Sequence, residues 1–154
     1  MSVNRIHVST PPETVFTVLD DPRAYPRWVV GTRRIRAVDR GWPEQGTRFH
    51  HAVGTAAGEV KDSSKILERD PPRRMKLEVR FRPAGVAVVD IQVRPDGEGS
   101  EIAIEETPTD GPLSRLPRAV TEPALSLRNA LSLWRLRREV EHRSSREPGT
   151  TPRH

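Results

Sequence analysis

Apolar and polar residues alternate through the middle of the chain. In MKLEVRF, residues 75–81, apolar side chains occupy every second position and charged ones the positions between, which is typical of a strand with one buried face. VAVVDIQVR and SEIAIEE continue the alternation, and RPAG and RPDGEG supply residues that suit tight hairpins. The pattern predicts seven strands, one at NRIHVS and six consecutive ones from TRRIRAVD onward. A consecutive series favours an antiparallel meander.

The segment between the first two predicted strands carries helix signals. Thr10 and Glu13 have the spacing of a capping box, and Pro11 and Pro12 suit the first helical turn. These residues predict a helix of two to three turns that ends at DDP, residues 20–22, with a second short helix in PRAYPRWVV. Helices this short are not stable alone. They must therefore pack against the sheet.

Beyond Gly111 the apolar period becomes helical, which predicts a long amphipathic helix that crosses the sheet. The stripe expected to face the sheet consists of Leu113, Leu116, Val120, Ala124, Leu127, Leu131 and Trp134. A second stripe on the opposite side, expected to meet the short helices or a second subunit, consists of Leu125, Leu133, Leu136 and Val140. Pro117 and Pro123 predict a break, with Thr121 as the new N-cap and the longer piece running from about Glu122 to His142.

The composition indicates one lean domain. The chain has 154 residues, 34% of them hydrophobic, with 15 prolines and no cysteine, which excludes disulfides and thiolate metal sites. We expect a domain over residues 1–143 and a disordered tail over 144–154, where no apolar anchor occurs. No segment resembles a signal peptide or a membrane-spanning helix. The sequence therefore predicts a cytoplasmic protein without membrane insertion, metal or cofactor.

The net charge of +5 and the pI near 10.6 raise the question of nucleic-acid binding. The basic residues alternate with acids along the strands, except in RLRREVEHRSSR near the end. There, arginines and glutamates recur at the spacing of ion pairs on a solvated helix face. We therefore predict no nucleic-acid partner.

The order of the predicted elements resembles the START-like helix-grip (SRPBCC) superfamily, and within it the bacterial proteins grouped with polyketide cyclases and dehydrases. The resemblance covers roughly residues 3–142 and rests on VSTPPETVFTVLDDPRAYPRWV, GTRFHHAVG, EET and RNALSLWRL. It implies an α+β fold in which a seven-stranded antiparallel sheet wraps around the long C-terminal helix. The two short helices after the first strand would close one end of a cavity between sheet and helix.

An acid/base pair is the first candidate within that cavity. If GTAAG closes a hairpin that sets Val53 opposite Val60, then His51 directly faces Asp62 from the neighbouring strand. A carboxylate beside an imidazole raises its basicity, which suits a general base. The alternative is a polar contact at the mouth of the sheet, and a bulge at a hairpin glycine would separate the two residues.

A charged pair is the second candidate. Glu106 follows the alternation that turns every second residue of the last strand inward, and a buried carboxylate needs a partner. Arg128 lies at the flank of the helix stripe, from which its side chain could contact Glu106. The pair could lock helix to sheet or contact a ligand. Together with the inward aromatic and aliphatic residues, the predicted ligand-binding set is Trp28, Phe49, Ser64, Val79, Phe81, Val89, Glu106, Leu127, Arg128, Leu131 and Trp134.

Two functions of different classes fit these residues. The first is a module that binds a hydrophobic small molecule, such as a lipid, a polyketide or an aromatic metabolite, in the cavity. The second is a cyclase or dehydratase that acts on a polyketide-like substrate, with His51 and Asp62 as acid and base. A homodimer formed through the second helix stripe is a weaker third possibility. The sequence favours binding, because the spacing of its residues does not by itself establish a catalytic pair.

Overall fold

The computed structural model describes residues 3–55, 58–81, 83 and 85–146. Its strands are β1 (Val3–Val8), β2 (Thr32–Val38), β3 (Arg48–Thr55), β4 (Gly58–Asp70), β5 (Arg74–Phe81), β6 (Gly85–Asp96) and β7 (Gly99–Asp110). Its helices are α1 (Pro12–Leu19), a 3-10 turn (Pro22–Ala24), α2 (Tyr25–Trp28), α3 (Pro112–Arg115) and α4 (Arg118–Arg146).

The seven strands form one antiparallel sheet in the order β1-β7-β6-β5-β4-β3-β2. Strands β2 to β7 follow one another as a meander, and β1 closes the far edge by pairing with β7. The predicted fold class is therefore confirmed, including the long C-terminal helix and the short helices after the first strand. The hairpin between β6 and β7 turns at Gly97, whose φ of 61° lies in the left-handed region that glycine adopts without strain.

The predicted capping box at α1 is wrong. The helix begins at Pro12, and the N-cap residue is Pro11, which provides no side-chain hydrogen bond. Thr10 lies one residue too early, since a residue that precedes proline is held in the extended region. Its hydroxyl is buried without a hydrogen-bond partner among the described residues. The two prolines thus determine the helix start by their fixed φ angles rather than by a polar cap.

The predicted start of the long helix is also wrong. The helix α4 begins at Arg118, directly after Pro117, and includes Thr121 and Pro123. Pro117 separates α3 from α4 as predicted. Pro123 lies in the second turn and lacks the N–H that would bond to the Ala119 carbonyl, but it does not break the helix. The helix continues to Arg146, past the predicted domain boundary at residue 143, and residues 147–154 of the predicted tail lie outside the described residues.

The orientation of α4 is opposite to the one predicted. Leu127, Leu131 and Trp134 are 73%, 41% and 50% exposed, so they do not face the sheet. The second stripe is the buried one: Leu133, Leu136 and Val140 belong to the hydrophobic core. Both stripes are apolar, and tertiary contacts decide between them. In its C-terminal half α4 packs onto the core, whereas its N-terminal half lies over an open space above the sheet.

Candidate functional site

A cavity of about 260 Å³ lies between the sheet and the N-terminal half of α4. Strands β3 to β7 provide its floor, because alternate residues of every strand point to the same side of the sheet. The short helix α2 and the linker that follows it close one end with Trp28, Val29 and Val30. Of the two short helices, α2 therefore contributes directly to the cavity wall, whereas no residue of α1 lines it.

Most of the wall is apolar. Five residues of the predicted ligand-binding set line it with aromatic or aliphatic side chains: Trp28, Phe49, Val79, Phe81 and Val89. Leu77, Ile91 and Ile104 extend the same surface across the central strands. These residues come from alternating positions, so the strand pattern alone identified most of the floor.

Tyr25 connects the closed end of the cavity to its floor. Its ring stacks on Phe49 with a centroid distance of 4.6 Å and lies 5.0 Å from Trp28. The hydroxyl donates a 2.8 Å hydrogen bond to the Leu19 carbonyl, and burial raises the pKa of this phenol. Tyr25 was absent from the predicted site, although its place on the apolar side of the second short helix pointed there.

The predicted contact between Glu106 and Arg128 is present at the α4 side of the cavity. Arg128 Nη1 donates to Glu106 Oε1 at 3.0 Å, and its Nε donates to the Val30 carbonyl at 3.2 Å. The Glu106 side chain is only 2% exposed, whereas that of Arg128 is 34% exposed. One guanidinium therefore joins helix, sheet and linker, and it compensates the buried carboxylate.

Two further polar residues on α4 reach the cavity, and the sequence prediction did not include them. Ser132 Oγ accepts a 3.2 Å hydrogen bond from the Val30 backbone N–H. Asn129 is 5% exposed, and its side chain has no hydrogen bond with another described residue. Asn129 and Ser132 follow Leu125 at helical spacing. The polar positions interleaved with the second apolar stripe were the signal that could have revealed them.

The predicted strand register at His51 is confirmed, but the predicted hydrogen-bond partner is not the one observed. His51 and Asp62 are paired across β3 and β4, and both are buried. The His51 Nε2 atom lies 3.2 Å from Ser64 Oγ, the diagonal neighbour. Asp62 Oδ1 accepts a 3.0 Å hydrogen bond from the Ser63 N–H. His51 and Ser64 line the cavity, whereas Asp62 is not among its lining residues.

Burial decides the charge state of His51. It lowers the pKa of the imidazole below its ordinary value, and the nearby Asp62 carboxylate, which raises that pKa, offsets only part of the effect. Asp62 thus acts on the imidazole in the expected direction, but desolvation outweighs it, so the pKa of His51 lies below its ordinary value. A neutral imidazole at the wall can donate or accept one hydrogen bond at each nitrogen, depending on its tautomer.

We expect a corresponding pH dependence. In an NMR titration the His51 imidazole should protonate below about pH 6.5, the ordinary value. Since the unfolded chain binds this proton first, the stability contributed by neutral His51 is fully present above about pH 6.5 and is lost as the pH falls toward the lowered pKa. His51→Gln should remove this part of the pH dependence of unfolding. A His51 midpoint at or above the ordinary value would contradict the assigned burial.

Three residues of the predicted ligand-binding set lie away from the cavity. Leu127, Leu131 and Trp134 point to the opposite side of α4, since the helix is rotated so that Leu125, Arg128 and Ser132 line the cavity instead. The remaining eight residues of that set line it. No cluster of three or more potential metal ligands occurs among the described residues. No described helix combines the length and the hydropathy that crossing a membrane requires.

Comparison with known proteins gives one family and one fold. A family model described as polyketide cyclase / dehydrase and lipid transport matches residues 2–141. None of the curated proteins compared with the chain matches it. Among solved structures, protein NE0264 from Nitrosomonas europaea has a TM-score of 0.72 at 18% identity, with 94% of this chain and 96% of that one covered.

Two further structures broaden the comparison. The di-domain ARO/CYC StfQ from the steffimycin biosynthetic pathway has a TM-score of 0.71 at 15% identity, and the match covers 94% of this chain and 51% of StfQ. Ara h 8.0201 has a TM-score of 0.60 at 18% identity, with 88% and 96% covered. At these identities the likeness shows the fold alone.

Proposed function

The chain belongs to the polyketide cyclase / dehydrase and lipid transport family, and we propose that it binds a hydrophobic small molecule in the cavity between sheet and α4. A lipid, a polyketide or an aromatic metabolite fits this description. The observation that carries the proposal is the apolar chamber itself, which is about 260 Å³ in volume and is lined by three aromatic rings besides Tyr25. A chamber of about 150 Å³ already holds a benzene ring. There is room here for a ligand larger than one ring.

The charges at the wall support an uncharged ligand body. Glu106 and Arg128 compensate one another across 3.0 Å, and burial favours the neutral form of His51. No uncompensated charge among these groups is available to offset the cost of bringing a charged group into the chamber. The Asn129 amide and the pair of His51 and Ser64 provide hydrogen bonds that would orient a polar end of the ligand.

A second candidate function is catalysis of the cyclase or dehydratase type. It is favoured by the position of His51, which lines the cavity and whose Nε2 lies 3.2 Å from Ser64 Oγ. A neutral imidazole can take a proton from a carbon or hydroxyl of a bound substrate and return it elsewhere. Asp62, which faces His51 across the strands, would stabilise the imidazolium that forms. In this proposal His51 is the acid/base residue and Asp62 acts through it.

Native mass spectrometry distinguishes the two functions. The protein purified from its own host should retain a small molecule. Incubation with that molecule should return it unchanged if the protein is a carrier. Conversion of the molecule would indicate an enzyme, and His51→Ala should then reduce turnover by about two to four orders of magnitude while binding persists. A protein that retains nothing from its host, and nothing from a total lipid extract, would contradict both functions.

A further inference from the structure

The outer face of α4 is apolar over four turns. Every exposed residue between positions 119 and 134 is apolar: Ala119, Val120, Pro123, Ala124, Leu127, Ala130, Leu131 and Trp134. We call these eight residues the outer face. The stretch is about 24 Å long at 1.5 Å per residue. Contiguous exposed apolar surface of this kind marks an interaction site for a protein or a membrane.

Arginines stand at both ends of the outer face. Arg115, at the end of α3, precedes it, and Arg135 and Arg138 follow it in the next turn. Arg118 opens α4 but lies on its inner side beside Glu122 and Asn129. None of the four forms an ion pair with another described residue. The Arg138 guanidinium lies over the Trp134 ring at 5.0 Å from the centroid, which keeps its charge next to the apolar surface. The surface therefore combines apolar side chains with cations that have no ion-pair partner in the part of the chain that the structure describes.

A second copy of the chain does not suit this surface. If two outer faces packed in parallel, Arg135 and Arg138 of one copy would meet the same arginines of the other. If they packed antiparallel, the same residues would meet the exposed segment 112–120, which carries Arg115 and no acidic residue. Either arrangement brings like charges together as the apolar residues are buried, and such juxtaposition is costly. The complementary partner is anionic.

We propose that the outer face of α4 docks onto the surface of an anionic lipid bilayer. An interfacial helix lies in the membrane plane with Trp and Leu at the acyl boundary and basic residues at the headgroups, and it does not span the bilayer. Leu127, Leu131 and Trp134 supply the apolar anchors. Arginines extend their charge to the phosphates while their stems remain on apolar surface. The inner side of the same stretch lines the cavity, so in the docked state only α4 would lie between the cavity and the lipid.

Sedimentation with vesicles tests this surface without reference to the cavity. The full chain should bind vesicles of equimolar phosphatidylglycerol and phosphatidylcholine more tightly than vesicles of phosphatidylcholine alone. Leu127→Glu should weaken binding at least about tenfold, since it removes a leucine side chain that docking would bury in the lipid. The matched control is Val38→Glu, which makes the same charge change at a 42% exposed position on β2, away from α4. It should change binding by less than about twofold.

The arginines are tested separately. Arg135→Gln and Arg138→Gln should each weaken binding to the anionic vesicles about fivefold, the usual worth of one basic residue near an anionic surface. The two changes should have little effect on phosphatidylcholine vesicles. Thermal unfolding should show that Leu127→Glu remains folded, because the position is exposed.

Three results would overturn the proposal. The first is equal binding of the wild-type chain to both kinds of vesicle, or no binding to either. The second is an equal loss from Leu127→Glu and Val38→Glu. The third is a stable dimer in sedimentation equilibrium that Leu127→Glu dissociates, which would assign the outer face to self-association.

Discussion

Arg128→Met should lower the free energy of unfolding by about 3 kcal/mol, the lower end of the range for breaking a buried ion pair. The substitution leaves the Glu106 carboxylate, which is almost fully enclosed, without its counter-charge, and it also frees the Val30 carbonyl. The lower end applies because the Arg128 side chain itself is partly exposed. Denaturant unfolding at neutral pH measures the difference.

The matched control for this prediction is the double variant Arg128→Met with Glu106→Gln. Glutamine keeps the shape of glutamate but carries no charge, so the double variant should be more stable than Arg128→Met alone. The difference between the two variants would be the part of the lost free energy of unfolding that arises from the unpaired carboxylate. If Arg128→Met were as stable as the wild type, Glu106 would have to be far better solvated than its 2% exposure indicates.

Leu136→Ala should cost about 2 to 5 kcal/mol, the usual range for truncating a fully buried leucine. Leu136 is 0% exposed and belongs to the core beneath the C-terminal half of α4. The matched control is Leu127→Ala on the same helix, where the side chain already faces solvent. That change should stay within about 0.5 kcal/mol. Both variants place alanine in a helix, so differences in helix propensity cancel.

The comparison of these two leucines tests the rotation of α4 directly. A larger loss from Leu127→Ala than from Leu136→Ala would mean that the stripe of Leu127 and Leu131 faces the sheet. The cavity would then have different walls on the helix side. Chemical denaturation with a common slope for all variants is required for the comparison, since a change in slope would report a change in the unfolded state.

The sequence was sufficient to predict the sheet and the residues of much of the cavity floor. The alternation in residues 75–81 placed Val79 and Phe81 on the inner surface, where both line the cavity. The hairpin register that sets His51 opposite Asp62 also followed from alternation and turn position. These features are local, because neighbouring residues determine the period of a strand and the length of a turn.

The helix side could not be predicted in the same way. The chain offers two apolar stripes on α4, and the more continuous one contains Leu127, Leu131 and Trp134. Which stripe is buried depends on contacts with distant residues, above all the packing of Leu133 and Leu136 in the core and the approach of Ser132 to the Val30 backbone. An apolar pattern alone does not encode such pairings. The three solvent-facing residues were therefore assigned to the wrong side.

The protonation of His51 illustrates a second limit. Sequence position gave the carboxylate neighbour, Asp62, but not the extent of burial. The net direction of the pKa depends on the balance between desolvation and that charge, and desolvation is the larger effect here. The hydrogen bond to Ser64 likewise depends on side-chain geometry across the diagonal of two strands.

The proposal that the cavity binds a hydrophobic molecule is tested most directly by titration with the neutral dye N-phenyl-1-naphthylamine. Val79→Trp and Val89→Trp each place an indole inside the chamber, while Val38→Trp adds the same side chain at an exposed site on β2. Near-UV circular dichroism must show that every variant keeps its tertiary packing, because loosened cores also bind such dyes.

The wild-type chain and Val38→Trp should bind the dye at one saturable site with equal affinity. Each cavity-filling variant should lose at least about tenfold in affinity, which corresponds to about 1.4 kcal/mol. Equal affinity in all four proteins, or no saturable binding by the wild-type chain, would contradict the proposal that this cavity is the binding site.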